Sequence, residues 1–166
     1  MNRWIEIIKN NDFIGAKKYI KSGADINEEN ENGETVLASA LRHKCDSDFI
    51  TLLIENGAEI FDFDNEGVSI FDMAITYNNI EMVKYLIKKG IDVNTTKRRS
   101  GFTALMCASC YGRVEIVKLL LEEDANEDNV DVKGFKASDF ARKMNKKSVL
   151  KLLKVDESKV HNRSTC

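Results

Sequence analysis

Two cysteines three residues apart, Cys107 and Cys110, are the first pattern with chemical potential. On a helix that spacing puts both thiols roughly on one face, where they would serve redox exchange or half of a zinc site. Zinc takes about four ligands, and neither a second pair nor a histidine at ligand spacing accompanies them. Cys107 is therefore expected to pack in a core, where free cysteine behaves as a small apolar residue. Asp62-Phe63-Asp64-Asn65-Glu66-Gly67 imitates the opening of a calcium loop. The last position of such a loop needs a bidentate glutamate and is Met73 here. Lys97-Arg98-Arg99 would suit a phosphate, but in a chain of net charge −2 it reads as a solvated turn. The two histidines are His43 and His161. No P-loop, G-x-G-x-x-G, G-x-S-x-G or H-E-x-x-H occurs. The residues point to a non-enzymatic protein, with no catalytic set, no metal and no cofactor expected.

The bulk properties agree. The 166 residues are 43% hydrophobic and 31% charged, with 25 Lys+Arg against 27 Asp+Glu and no proline. That composition is typical of a globular domain. It lacks the basic excess of a nucleic-acid binder, and no apolar run approaches the roughly 18–20 residues of a membrane span. Glu6 interrupts the one candidate apolar core of an export leader. The four cysteines are too few for a disulfide scaffold, and a reduced, cytoplasmic monomer is expected.

The elements that position these residues are repeated. Glycines recur at 33, 67, 101 and 134, in steps of 34, 34 and 33. Gly23-Ala24, Gly57-Ala58, Gly90-Ile91 and Asp124-Ala125 form a second series, in steps of 34, 33 and 34. Each glycine of the first series precedes a Thr or Ser and a short apolar stretch: Thr35–Ala40, Ser69–Ala74 and Thr103–Ala108, with a degenerate copy at Lys136–Ala141. A hydroxyl there caps a helix. Later come Phe49–Ile54, Met82–Ile87 and Ile116–Leu121, apolar on nearly all sides. Such helices must be covered by neighbours. Gly57 and Gly90 suit the left-handed residue after a helix end.

This pattern resembles the ankyrin repeat. Gly23-Ala-Asp-Ile-Asn27, Gly90-Ile-Asp-Val-Asn94 and Gly101-Phe-Thr-Ala-Leu-Met-Cys-Ala108 carry the resemblance, which covers residues 1 to about 154. It implies an all-α solenoid of stacked helix-turn-helix units with β-turn tips. The units fall at about 1–27, 28–61, 62–94, 95–128 and 129–154, followed by a tail at 155–166 expected to be mobile. The family's motif histidine is Ala38, Asp72, Met106 and Asp139 here. Loss of its hydrogen bond to the preceding threonine is expected to loosen the units. Lys44–Asp48 lengthens the inter-helix turn of unit two, and Lys97–Ser100 the tip before unit four, each by one residue.

In the family, first helices and tips line a concave groove. The resemblance therefore implies a protein-binding module, with one exposed residue per unit at the end of each first helix: His43, Tyr77, Tyr111 and Met144. Arg42, Thr76 and Cys110 precede three of them. At the tips, Val68, Phe102 and Phe135 follow the repeat glycines, and Phe63, Arg98 and Arg99 join them. The surface is expected to centre on Tyr77, Phe102 and Tyr111. Early tips are acidic (Glu28, Glu29, Glu31, Glu34, Asp62, Asp64 and Glu66) and the next is basic, which favours a dipolar partner. Abundant Lys, Ile and Asn suit an A+T-rich genome such as a bacterial one, and an intracellular accessory or regulatory factor. A second reading is a haem carrier or catalase-associated accessory, with Tyr77 or Tyr111 as the axial ligand. A third is a host-directed bacterial effector.

Overall fold

The computed structural model describes residues 1–154, and the expected tail, with His161 and Cys166, lies outside the described residues. The described residues form helices in pairs: α1 (Asn2–Lys9) and α2 (Phe13–Lys21), α3 (Val36–Arg42) and α4 (Ser47–Glu55), α5 (Ile70–Thr76) and α6 (Ile80–Lys88), α7 (Ala104–Cys110) and α8 (Val114–Glu122), α9 (Ala137–Lys143) and α10 (Lys147–Leu150). The first helices α1, α3, α5, α7 and α9 stack in sequence order. The fold is an all-α solenoid. Its tips contain two isolated antiparallel bridges, Glu29 with Thr35 and Phe63 with Ser69.

Caps and glycines account for the boundaries. Thr35, Ser69 and Thr103 accept from the backbone N–H of Ala38, Asp72 and Met106 at the starts of α3, α5 and α7. Asp12, Asp46 and Asn79 do the same for α2, α4 and α6. Each cap satisfies a donor that the helix leaves unpaired. Every inter-helix turn has one left-handed residue: Asn11, Lys44, Asn78, Gly112 and Asn145. The turn after α3 runs over 43–46, where the others have three residues, as the extra residue requires.

The tips are built on a repeated side-chain acceptor. Asn30 Oδ1 takes the N–H groups of Asn32 and Glu34, Asp64 Oδ1 those of Glu66 and Val68, and Asp131 Oδ1 those of Lys133 and Phe135. In the longer tip, Thr96 substitutes: its hydroxyl accepts from Arg98 N–H and donates to the Phe102 carbonyl. Of the carboxylates that imitate a calcium loop, Asp62 and Asp64 are engaged by the chain's own backbone. The loss of the motif histidine is partly made good. Ser69 N–H and Oγ–H both donate to Asp72, and Lys136 N–H to Asp139. Ala38 provides no such acceptor, and in unit four Thr103 N–H reaches the Met106 sulfur at 3.4 Å.

One apolar core runs the length of the stack, from Trp4 and Ile8 through Phe49, Leu53 and Leu86 to Leu120 and Val149. Trp4 also donates its indole N–H to the Asp25 carbonyl, 2.9 Å away. Successive units are stitched by an asparagine at the end of the repeat. Asn27 donates to the Gly57 carbonyl and accepts from Glu59 N–H (3.0 and 2.9 Å). Asn94 does the same with Asp124 and Asn126 (3.0 and 2.7 Å). The residue at the corresponding place in the unit between is Phe61, which is exposed. Phe61→Asn is expected to supply the missing pair to Gly90 and Asp92 and to raise stability by about 1 kcal/mol. Thermal unfolding checks this; an unchanged or lower midpoint contradicts it.

Candidate functional site

His43, Tyr77, Tyr111 and Met144 occupy one structural position, the residue that ends α3, α5, α7 and α9. Because these helices stack, the four side chains follow one another along the array at about the 8–10 Å spacing of packed helices. They are not equally available. Tyr111 and Met144 are 47% and 48% exposed. His43 and Tyr77 are half-buried, and His43 Nδ1 lies 2.9 Å from the Ser39 carbonyl. The residues before them divide similarly. Arg42 is exposed, whereas Thr76 and Cys110 are half-buried, with Thr76 Oγ1 3.4 Å from Cys107 Sγ.

Around Tyr111 the environment is crowded but open. Burial and then the Cys107 and Cys110 thiols push its hydroxyl above the ordinary tyrosine range. The Arg113 guanidinium lies 5.7 Å from its ring and donates to the Thr76 carbonyl, so unit four is tied to unit three. A metal ligand binds deprotonated, and an upward shift opposes that.

The tips depart from expectation in two places. Arg98 does not stand in solvent with Lys97 and Arg99; it turns inward, to 3.4 Å from Asp72 and 5.0 Å from the Phe102 ring. Phe102 is half-buried and meets Phe140 of α9 edge-on at 5.0 Å. It cements unit four to unit five and does not project as a free anchor. Phe135 leans on the same Phe140 at 6.2 Å, yet remains 47% exposed. Phe63 is exposed and Val68 half-buried. The acidic face of the early tips is also reduced. Arg42 grips both Glu34 oxygens at 2.7 and 2.8 Å, which holds the guanidinium above its usual range.

Sequence reasoning passed over Asp72, Arg113 and Phe140, which organise this face. Asp72 was visible as a carboxylate in a histidine position. For Arg113 and Phe140 no spacing rule says which way the side chain turns.

The thiols behave as separate groups. Cys107 is fully buried, and its thiol is pushed up to about 11, mainly by burial. Cys45 is buried against the Ile8 carbonyl and is likewise pushed up to about 11, by burial and then by Asp46. Cys110 is half-buried. Maleimide labelling of the folded protein at neutral pH, read by peptide mapping, is expected to modify Cys110 well before Cys45 or Cys107. Equal labelling of Cys107 would contradict the buried placement.

The model of the family described as ankyrin repeats (3 copies) matches residues 5–97 and 94–164. The chain belongs to the ankyrin-repeat family. Ankyrin repeats generally mediate protein–protein contacts and are a non-enzymatic fold. Similar segments occur in much larger proteins. The ankyrin chain is 41% identical over 107 residues to E3 ubiquitin-protein ligase hecd-1 of Caenorhabditis elegans, covering 64% of this chain and 4% of that one. It is 34% identical over 119 residues to the nuclear factor NF-kappa-B p105 subunit of Gallus gallus, covering 69% and 12%. It is 30% identical over 109 residues to ankyrin repeat protein OPG189 of Variola virus, covering 65% and 19%. The chain thus spans less than a fifth of each of these relatives. No helix of the described residues is long and apolar enough to cross a membrane.

Proposed function

We propose that this chain is a non-enzymatic binding module that holds a protein partner against its stacked first helices and tips. The observation that carries the reading is the ladder of helix-end residues, in which Tyr111 and Met144 stand about half exposed while their neighbours are fixed by packing. Tyrosine is enriched among residues that dominate interface energies. A surface already held in place by helix stacking loses little freedom on binding. Tyr111 and Met144 form the centre, with His43, Tyr77, Arg42, Thr76 and Cys110 along the helix ends. Phe63, Val68, Arg98, Arg99 and Phe135 form the tip side, and Phe102 supports it from beneath.

A monomeric, intracellular accessory or regulatory role suits a module of this kind. The balance of 25 basic against 27 acidic residues favours a protein over a nucleic acid as partner.

The test is affinity capture from the source cell with wild type beside a Tyr111→Ala/Met144→Ala variant. A protein retained by wild type and lost with the variant supports the reading. A protein retained equally by both places its site elsewhere on the chain.

A further inference from the structure

Charge changes sign along the row of tips. The row is continuous: Asn65 N–H donates to the Asn32 carbonyl at 3.0 Å, Val132 N–H to the Ser100 carbonyl at 2.9 Å, and a methyl on Gly67 would meet the Lys97 carbonyl. On the tips of units two and three, Glu29, Glu31 and Glu66 are exposed. On the next two tips the exposed charges are Lys97, Arg99 and Lys133, and Lys143 stands exposed beside Met144 at the end of α9. None of these cations joins an ion pair among the described residues. The carboxylates on the same side are engaged. Asp72 accepts from Ser69 N–H and Oγ–H, Asp128 from Lys136, Asp131 from two backbone N–H groups, and Asp139 from Lys136 N–H and Arg142.

Arg98 carries this positive charge from the tip to the ladder. Its Nε lies 3.4 Å from Asp72 and its guanidinium 5.0 Å from the Phe102 ring. Its charge also reaches the Tyr111 hydroxyl, where it acts against the upward push of burial and the two thiols. Arg98 Nη1 and Nη2 have no partner among the described residues, and neither is sealed from solvent. Two parallel N–H donors of this kind match the two oxygens of a carboxylate. Arg113 brings a second guanidinium to within 5.7 Å of the Tyr111 ring. The most exposed tyrosine of the ladder is thus served by two cations, and its own hydroxyl, held protonated, is a further donor.

We propose that the segment held against the ladder is acidic: an aspartate or glutamate sits beside Tyr111 on the open side of Arg98, an apolar neighbour covers Met144, and further carboxylates face Lys143, Lys133 and Arg99. This assignment rests on the ladder being the partner's seat. Apolar surface is there to be covered, since Tyr111, Phe135 and Met144 are each about half exposed. The extent of the positive region selects a protein segment among anions. A nucleic-acid strand or a lipid surface laid over units four and five would run on to Glu66, Glu31 and Glu29 in the same row, and like charges so placed oppose binding. A short acidic segment ends before them.

The test selects from a phage-displayed library of random 12-residue peptides on the immobilised full chain at low ionic strength. Wild type is expected to enrich sequences in which Asp or Glu stands next to aliphatic or aromatic residues. The most enriched peptide, labelled with fluorescein, is then titrated by anisotropy against variants that thermal unfolding shows to be folded. Lys133→Glu/Lys143→Glu is expected to weaken it about tenfold or more and to flatten its salt dependence. Arg98→Lys keeps the charge beside Asp72 and removes the fork, and is expected to cost about tenfold. Tyr111→Ala/Met144→Ala is expected to cost about 30-fold. Enrichment of neutral or basic sequences, no enrichment, or equal binding by Lys133→Glu/Lys143→Glu overturns the acidic-segment assignment. If neutral or basic peptides are selected and Tyr111→Ala/Met144→Ala loses them, the ladder stands and the charge assignment alone falls. Acidic peptides that bind Tyr111→Ala/Met144→Ala as tightly as wild type remove the ladder and the assignment together. Tighter binding of a single-stranded oligonucleotide or of phosphatidylserine vesicles than of the selected peptide would make the occupant a nucleic acid or a membrane, and overturns it as well.

Discussion

Gly67→Ala is expected to destabilise the protein by about 3 kcal/mol, the largest cost of any single methyl added to a tip. Gly67 has φ +79°, a conformation in which a side chain is already strained. A Cβ there would lie 2.1 Å from the Lys97 carbonyl oxygen and 2.4 Å from its carbon. Those are backbone atoms of the next tip, so relief requires that tip to move. It carries Arg98, whose contacts with Asp72 and Phe102 would be disturbed with it. Gly134 supplies the control, since it has φ +82° but nothing within 4 Å of its added Cβ. Gly134→Ala therefore bears only the conformational cost, about 1 kcal/mol. In thermal unfolding the first variant should fall by roughly 6–12 °C and the second by roughly 2–4 °C. Equal shifts would mean that the two tips do not press on each other as described.

Tyr111→Ala with Met144→Ala is expected to weaken partner binding by about 30-fold, or 2 kcal/mol, with little loss of stability. Both side chains are about half exposed, so truncation opens no closed cavity. Phe102→Ala would behave differently. Its edge-on contact with Phe140 at 5.0 Å joins two units, and its loss removes aromatic packing of about 0.5–1.5 kcal/mol beyond the buried area. A binding defect in that variant would mix folding with recognition. Calorimetric unfolding beside a binding titration separates the two cases: Tyr111→Ala/Met144→Ala moves affinity, and Phe102→Ala moves both.

The repeat and its helix pairs were legible because period, hydroxyl caps and glycines are local signals. Thr35, Ser69 and Thr103 cap helices that the pattern predicts, and Gly57 and Gly90 take the left-handed conformation expected of them. The equivalence of His43, Tyr77, Tyr111 and Met144 follows from the same register. Exposure did not follow, because it depends on neighbours far away in sequence. Arg98 turns inward because Asp72 of the preceding unit and the Phe102 ring of its own unit meet it there. Phe102 is covered because Phe140 lies 38 positions on and its ring stands 5.0 Å away. The junction between units two and three was half legible. The longer turn at 43–46 was visible, but Phe61 becomes meaningful only beside the bonds that Asn27 and Asn94 make.

The central claim is that a protein partner lies on the helix-end ladder. Site-specific photo-crosslinking tests it most directly. A benzophenone amino acid placed at position 111 is compared with the same probe at Lys118, an exposed residue of α8 on the second-helix side. The account predicts a crosslinked partner from position 111, lost when Met144→Ala is added, and none from position 118. A partner captured from position 118 and not from 111 would contradict it.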